Sequence, residues 1–310
     1  MKSNHAAKYG LTILAASILL GCNEGNSTTK VNVYTSVDNC SSAADVPHCH
    51  FENGVYVLKI DSSVSDAQVE RVKVQINDFL SNASNDVRNL YNQKRIIIGL
   101  LEDEPDPSSG SAADAFVLKL ADSMNEKSGT PKVLDAIELV YTNLSGKDET
   151  TGLTSYQKMI QLFDYYIDNN NNSAAGAELQ TSYAAFKTLL VVQASGGYPE
   201  YLVHDSCNYG NGQLVPNTCS IDVDEDPDGS GKRDPIHTLS VDLNPGAMLG
   251  LTYEYMKDPS KAEIGEVKGS NNTPFSNTGT IGQGNPDALN WSNPAFKPLA
   301  NYISKWLLSK

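Results

Sequence analysis

Apolar and polar positions early in the chain predict a strand, a helix and a second strand. "VYVLKI" (residues 55–60) alternates as a strand does and is rich in β-branched and aromatic residues, while "RIIIGLL" (residues 95–101) is a continuous apolar run typical of a buried strand. Between them, Ser65 and Gln68 form a capping-box pattern that starts a helix with one apolar face. The residues of that face are Val69, Val72, Ile76 and Phe79. This order predicts a βαβ unit with parallel strands and a right-handed crossover, and "KVNVYT" near residue 30 is a candidate for a further strand.

From residue 111 to residue 197 the apolar positions recur with the period of amphipathic helices, and four such stripes follow one another. The stripes consist of Ala113, Phe116, Leu120 and Met124; of Leu134, Ile137, Tyr141 and Leu144; of Tyr156, Ile160, Phe163 and Ile167; and of Leu179, Tyr183, Phe186 and Leu190. The second helix is expected to start at Thr130 and Pro131 and to close at Gly146. Short loops favour antiparallel neighbours, so the four helices predict a bundle. Tetratricopeptide repeats are an alternative, although their consensus residues do not recur.

Beyond residue 198 the chain is rich in Gly, Asn, Ser and Pro, which predicts loops, with one helix near Pro245 to Met256. A terminal helix is expected to dock on the body through one apolar face, and insertion into a membrane surface is the alternative. The residues of this face are Leu299, Tyr302, Ile303, Trp306 and Leu307.

Together these patterns predict an α+β, helix-rich fold. We expect a small βαβ-containing N-terminal lobe over residues 31–106 and a four-helix bundle-like lobe over residues 111–197. The remaining residues, 198–310, are expected to form a loop-rich region that carries the terminal helix.

The first 30 residues predict where in the cell the protein is located, and we do not expect them to be part of the fold. Two lysines and the apolar run "LTILAASILL" are typical of a secretory signal, and the run is too short to span a bilayer. "LLGC" (residues 19–22) then resembles the lipobox of bacterial lipoproteins. The resemblance implies that residues 1–21 are a lipoprotein signal peptide and that Cys22 carries the lipid, which is detectable as palmitate. An ordinary signal peptide is the alternative.

The residues after Cys22 extend this prediction. Asn23 stands where related lipoproteins that stay in the inner membrane carry aspartate, so the resemblance favours an outer-membrane protein that faces the periplasm or the cell surface. Residues 22–30 are small and polar, which predicts a flexible tether between the lipid and the folded body.

Four cysteines remain in the mature chain, an even number in an oxidising compartment, which predicts two disulfides. Three connectivities are possible. Pairing of Cys40 with Cys49 and of Cys207 with Cys219 closes two short loops, each worth about 2.5 to 3 kcal/mol on the chain-entropy model. Zinc is the alternative, supported by the histidines that flank Cys49, but neither pair has the short spacing of structural zinc ligands.

The net charge of −14 at pH 7 makes nucleic acid an unfavourable partner and a cation a favourable one. "SIDVDEDPDGSGKRDP" (residues 220–235) resembles a calcium loop when it is counted from Asp224, because carboxylates alternate and Gly229 then allows the sharp turn. The predicted ligands are Asp224, Asp226, Asp228, the carbonyl of Ser230 and Asp234. Asp234 falls one position before the closing ligand of an EF-hand, so a complete EF-hand is not expected, and a solvated acidic loop is the alternative.

A second acidic run, "EDEPD" (residues 102–106), follows the predicted buried strand. Sheet proteins often bind ligands beyond the carboxyl ends of their strands. The run is therefore a candidate ligand site, with a solvated loop as the more common interpretation.

No motif in the sequence indicates a particular reaction. The sequence lacks the histidine pair of metalloproteases, the nucleophile elbow of serine hydrolases and a glycine-rich phosphate loop. Ser195, His204, Asp205 and His237 would form a triad only if the fold brought them together. The sequence thus favours a non-catalytic, lipid-anchored envelope protein that binds or scaffolds another envelope protein or a glycan. The alternative is a lipid-anchored extracytoplasmic hydrolase acting on polysaccharide or peptide.

Overall fold

A computed structural model describes residues 29–124, 131–144, 146–167, 173–194, 245–260, 268–269, 273–274, 279–286 and 291–310. The strands in these residues are β1 (Val33–Tyr34), β2 (Gly54–Lys59), β3 (Arg95–Leu101), β4 (Ala136–Tyr141), β5 (Lys268–Gly269) and β6 (Thr273–Pro274). The α-helices are α1 (Asp66–Asn82), α2 (Asn85–Tyr91), α3 (Ala112–Asp122), α4 (Thr154–Gln161), α5 (Ala174–Ala194), α6 (Pro245–Lys257) and α7 (Lys297–Trp306). A π-helical turn, Leu162–Ile167, continues α4 directly, and short 3₁₀ turns occupy Val46–His48, Glu149–Thr151 and Pro294–Phe296. Within the described ranges, no helix has both the length and the apolar character needed to cross a bilayer.

The four strands β1 to β4 form one parallel sheet in the order in which they occur in the chain. The mixed helix and strand class is confirmed, as are the parallel β2–α1–β3 unit and the short additional strand near residue 30. The capping box at the start of α1 also forms as predicted. The Ser65 hydroxyl accepts a hydrogen bond from the Gln68 amide (3.3 Å), and the Gln68 side chain accepts one from the Ser65 amide (2.8 Å).

The second of the four helices predicted between residues 111 and 197 is wrong, because residues 136–141 form strand β4. Leu134, Ile137 and Tyr141 have helical spacing, but residues 136–141 are also a short apolar run interrupted only by Glu138, and such a run fits a strand as well as a helix. Pairing with β3 over six residues, from Ile96 opposite Ala136 onward, decides in favour of the strand. Three of the four predicted helices form, so the predicted bundle of four consecutive helices is not confirmed.

The sheet is covered differently on its two sides. On one side, which we call the helical face, β2 to β4 pack against α1, α2 and α4 to α7 in one apolar cluster. Its sheet residues are Val55, Val57, Ile96, Ile98, Leu100, Ala136 and Val140. On the other side, the disulfide face, Tyr56, Leu58 and Ile97 pack against α3 and the loop between β1 and β2. The crossovers on either side of β3 run on opposite faces, so they have opposite hands.

The disulfide face owes its name to the Cys40–Cys49 disulfide, which forms as the sequence spacing predicts. The two Cα atoms lie 5.1 Å apart, within the usual range, and both cysteines belong to the apolar cluster with Phe116 and Leu120 of α3. The terminal helix α7 lies on the helical face, where all five residues of its predicted apolar stripe are buried. Docking of this helix on the body is therefore confirmed.

Candidate functional site

Most of the site residues predicted from the sequence lie outside the described residues. They are the predicted lipid-attachment residue Cys22, the cysteines Cys207 and Cys219, the predicted calcium ligands Asp224, Asp226, Asp228, Ser230 and Asp234, and the triad candidates Ser195, His204, Asp205 and His237. Lipidation, the second disulfide, the calcium loop and the hydrolase alternative stay predictions. In the described part of the chain, no group of three or more His, Cys, Asp or Glu side chains could hold a metal ion.

A cavity of about 210 Å³, here called the edge cavity, lies beside strand β4. Its lining combines the loop after β3, helix α3, β4 and helix α4, and it consists of Pro105, Val117, Leu118, Ala121, Ile137, Glu138, Leu139, Tyr141 and Lys158. Side chains of successive strand residues point to opposite faces of a sheet. Because Ile137, Glu138 and Leu139 all line the cavity, it must lie along the outer edge of β4 rather than on one face.

Two hydrogen bonds at the carboxyl end of β4 show in which direction the main-chain amide groups of this strand point. The Thr142 amide donates to the Leu101 carbonyl of β3 (2.8 Å), whereas the Tyr141 amide donates away from β3, to Glu149 Oε2 (2.8 Å). Amide groups alternate along a strand, so those of Ile137 and Leu139 point the same way as that of Tyr141, toward the outer edge. The edge cavity is thus bordered by main-chain hydrogen-bonding groups as well as by apolar side chains.

One ion pair stands at the side of the cavity that belongs to the helical face. Lys158 of α4 lies 3.3 Å from Glu138 of β4, and their side chains are only 23% and 19% exposed. Removal of either partner would leave the other as a largely buried charge, which is costly. The pair joins α4 to the edge strand, so loss of either partner alone is expected to be destabilising.

Tyr141 marks the acidic end of the cavity. Burial, followed by the nearby carboxylates of Glu104, Glu149, Glu138 and Asp103, raises the pKa of its hydroxyl to about 12. Asp103 and Glu104 belong to the acidic run at residues 102–106, whose carboxylates are exposed. The run that the sequence singled out is thus an exposed loop that contributes Pro105 to the cavity and negative charge to its rim.

A polar network holds the turn that supplies Glu149. Arg71 of α1 donates to Asp148 (2.9 Å) and to the hydroxyl of Thr150 (2.8 Å). Burial by itself would raise the pKa of Asp148, but hydrogen bonds from Thr150 and Gln68, together with the Arg71 charge, lower it. The turn is thereby anchored to the helical face, and Glu149 is held against the outer edge of β4.

The composition of the edge cavity suits binding of a small apolar group. Small-molecule sites usually have volumes of about 300 to 1,000 Å³, so this cavity is smaller than most of them. Its lining is largely aliphatic, with charged or hydroxyl groups only on Glu138, Lys158 and Tyr141. A cavity of this size and chemistry accommodates one apolar side chain of a larger partner.

The sequence pointed to this site only in part, through the acidic run at residues 102–106 that contributes Pro105 to the lining. Leu118 and Lys158 belong to helices that were predicted, but the strand between them was predicted as a helix, so no edge was expected at this place. Two signals were available: the short apolar run "AIELVY" (residues 136–141), which is interrupted only by Glu138, and the position of Leu118 outside the apolar stripe of α3. Leu118 is one of two large apolar residues exposed in the described chain, at 38%.

Comparison of the chain with models of protein families, with curated proteins and with solved structures found no match in any of the three.

Proposed function

We propose that this protein is a lipid-anchored cell-envelope lipoprotein that binds a partner protein at the edge cavity. The anchor rests on the lipobox-like residues that end at Cys22. The binding role rests on one observation, the aliphatic cavity that opens along the outer edge of a strand. Apolar cavities with a few polar groups are the usual form of a binding site.

The chemistry of the lining favours a protein over a glycan. Each hydroxyl group of a glycan loses hydrogen bonds to water when aliphatic side chains enclose it. Val117, Leu118, Ile137 and Leu139 are part of the lining, and their side chains offer no hydrogen bonds in exchange. An apolar side chain of another envelope protein has no such cost.

A photo-crosslinking amino acid placed in intact cells tests the binding role. Position 118 lies in the cavity, and position 74 on α1 is the matched control, because Val74 is also an exposed large apolar residue, at 57%. We expect one discrete adduct from position 118 and none from position 74. The same adducts from both positions, or none from position 118, would exclude a partner at this cavity.

The anchor is tested separately by Cys22→Ser. We expect this variant to leave the membrane fraction, or to remain as uncut precursor, and to lose palmitate labelling. Normal labelling of the variant would contradict lipid attachment at this residue.

A further inference from the structure

The outer edge of β4 carries backbone groups that are suited to pairing with another strand. By alternation with Tyr141, the main-chain groups of Ile137 and Leu139 point away from β3. Among the described residues, no strand pairs with this edge, since β4 is the last strand of the sheet. A strand edge of this kind is a template for another extended chain.

The length available for pairing is short, because the carboxyl end of the edge is already used. Glu149 accepts the hydrogen bond of the Tyr141 amide, so an added strand runs only beside residues 136–140. Alternate side chains of such a strand would point to the disulfide face, where Val117 and Leu118 line the edge cavity. The volume of about 210 Å³ then receives one of these side chains.

The charge at the rim of the cavity indicates which type of residue lies next to that apolar side chain in the partner. Asp103 and Glu104 are exposed, directly precede the cavity residue Pro105 and lie close enough to Tyr141 to act on its hydroxyl. A lysine or arginine side chain is the electrostatic complement of this rim. A second copy of this chain fits less well, because each copy carries a net charge of −14.

We infer that the edge cavity binds an extended segment of the partner protein, which adds as a strand to β4. One apolar side chain of the segment fills the cavity, and a basic side chain near it lies beside Asp103 and Glu104. Backbone hydrogen bonds to Ile137 and Leu139 supply affinity, and the cavity supplies specificity, as in other cases of strand addition. This inference rests on the proposed function and specifies the class of partner.

The probe is the peptide acetyl-Lys-Val-Lys-Leu-Lys-Val-amide, titrated against the full mature protein in mild detergent. In one derivative the odd-numbered residues are N-methylated, and in the other derivative the even-numbered residues are. The two derivatives therefore have the same number of methyl groups and the same charge. Only one derivative lacks the amides that face β4. We expect that derivative to bind at least about tenfold more weakly than the other, because two backbone hydrogen bonds are lost. Hydrogen exchange should slow at Ile137 and Leu139 when the unmethylated peptide binds.

The double variant Asp103→Asn, Glu104→Gln tests whether the negative charge at the rim of the cavity contributes to binding. We expect this variant to bind the lysine peptide several-fold more weakly and with less dependence on salt. Glu70→Gln on α1 is the matched control, since Glu70 is also exposed but is not part of the cavity lining, and it should bind as the unmodified protein does.

The outcomes separate this inference from the proposed function. An adduct at position 118 together with equal affinities of the two methylated peptides, or with no peptide binding, overturns strand addition and leaves the proposed function intact. Slow exchange at Ile137 and Leu139 before any peptide is added means that the chain itself or a second copy occupies the edge, which also overturns the inference. Absence of the adduct at position 118 overturns the proposed function.

Discussion

The helical face and the disulfide face bury the same strands by different means. On the helical face, six helices form one apolar cluster whose members run from Val31 to Leu307 in the chain. On the disulfide face, the cluster consists of one helix, a loop with a single 3₁₀ turn, and the Cys40–Cys49 disulfide. A thin layer buries less apolar surface, so a covalent link that restricts the unfolded loop contributes relatively more there. One face of the sheet is thus buried under several helices, whereas α3 is the only helix in the apolar cluster of the other face among the described residues.

The largest expected effect comes from two neighbouring residues of β3 that point to opposite faces. Ile98 and Ile97 are both 0% exposed, and each belongs to the cluster of its own face. We expect Ile98→Ala to lower the free energy of unfolding by about 4 kcal/mol and Ile97→Ala by about 2 to 3 kcal/mol, because the thin layer can collapse into the new cavity more easily. Urea denaturation measures both values. Equal losses would mean that the two faces are equally rigid.

The disulfide should have the next largest effect. Cys40→Ser combined with Cys49→Ser is expected to lower the free energy of unfolding by about 2.5 to 3 kcal/mol, since the unfolded loop regains its freedom. Combination with Ile97→Ala should be non-additive, because both changes act on the disulfide face, whereas combination with Ile98→Ala should be additive. Additivity in both combinations would show that the disulfide is not coupled to the packing of its own face.

Alkaline pH should reduce the stability of the helical face more than that of the disulfide face. Burial raises the pKa of Tyr91, Tyr253 and Tyr156 on the helical face well above the usual value, and that of Tyr56 on the disulfide face also rises. A raised pKa in the folded state gives stability that is complete below pH 10 and is lost as pH increases further. Thermal melting should therefore show a constant melting temperature up to about pH 9 and a steep decrease above pH 10. Tyr253→Phe should reduce this decrease more than Tyr56→Phe, and the reverse order would contradict the comparison.

The smallest effect on stability is expected at the two exposed apolar residues, one on each face. Leu118→Gln and Val74→Gln should each change the free energy of unfolding by less than about 0.5 kcal/mol, because both residues are exposed. With the crosslinker moved to Ala121, only Leu118→Gln should remove the photo-induced adduct or the binding of the lysine peptide. A large loss of stability in Leu118→Gln would mean that this residue belongs to the core of α3 and not to a binding surface.

The helix-capping and strand signals near the start of the chain were accurate because they are local and strong. β3 has the predicted bounds, and α1 begins at the predicted cap. Helix α2 was missed, although Ser84 caps it by accepting a hydrogen bond from the Val87 amide, because its seven residues are too few to show a period. Of the residues that line the edge cavity, only Pro105 lies in a predicted candidate site, the acidic run at residues 102–106, because the rest of the cavity depends on a strand that was predicted as a helix.

Local signals, within about twenty residues of one another, were enough to predict the α1 cap, the buried strands β2 and β3, the short Cys40–Cys49 loop and the apolar stripe of α7. The folded chain was needed to show that residues 136–141 are a strand, that α3 covers the face opposite α1, and that Lys158 meets Glu138 beside the outer edge of β4. These features depend on contacts between residues far apart in the chain, which a local pattern does not contain. Pairing with β3 decides between strand and helix, which the short apolar run "AIELVY" does not separate by itself.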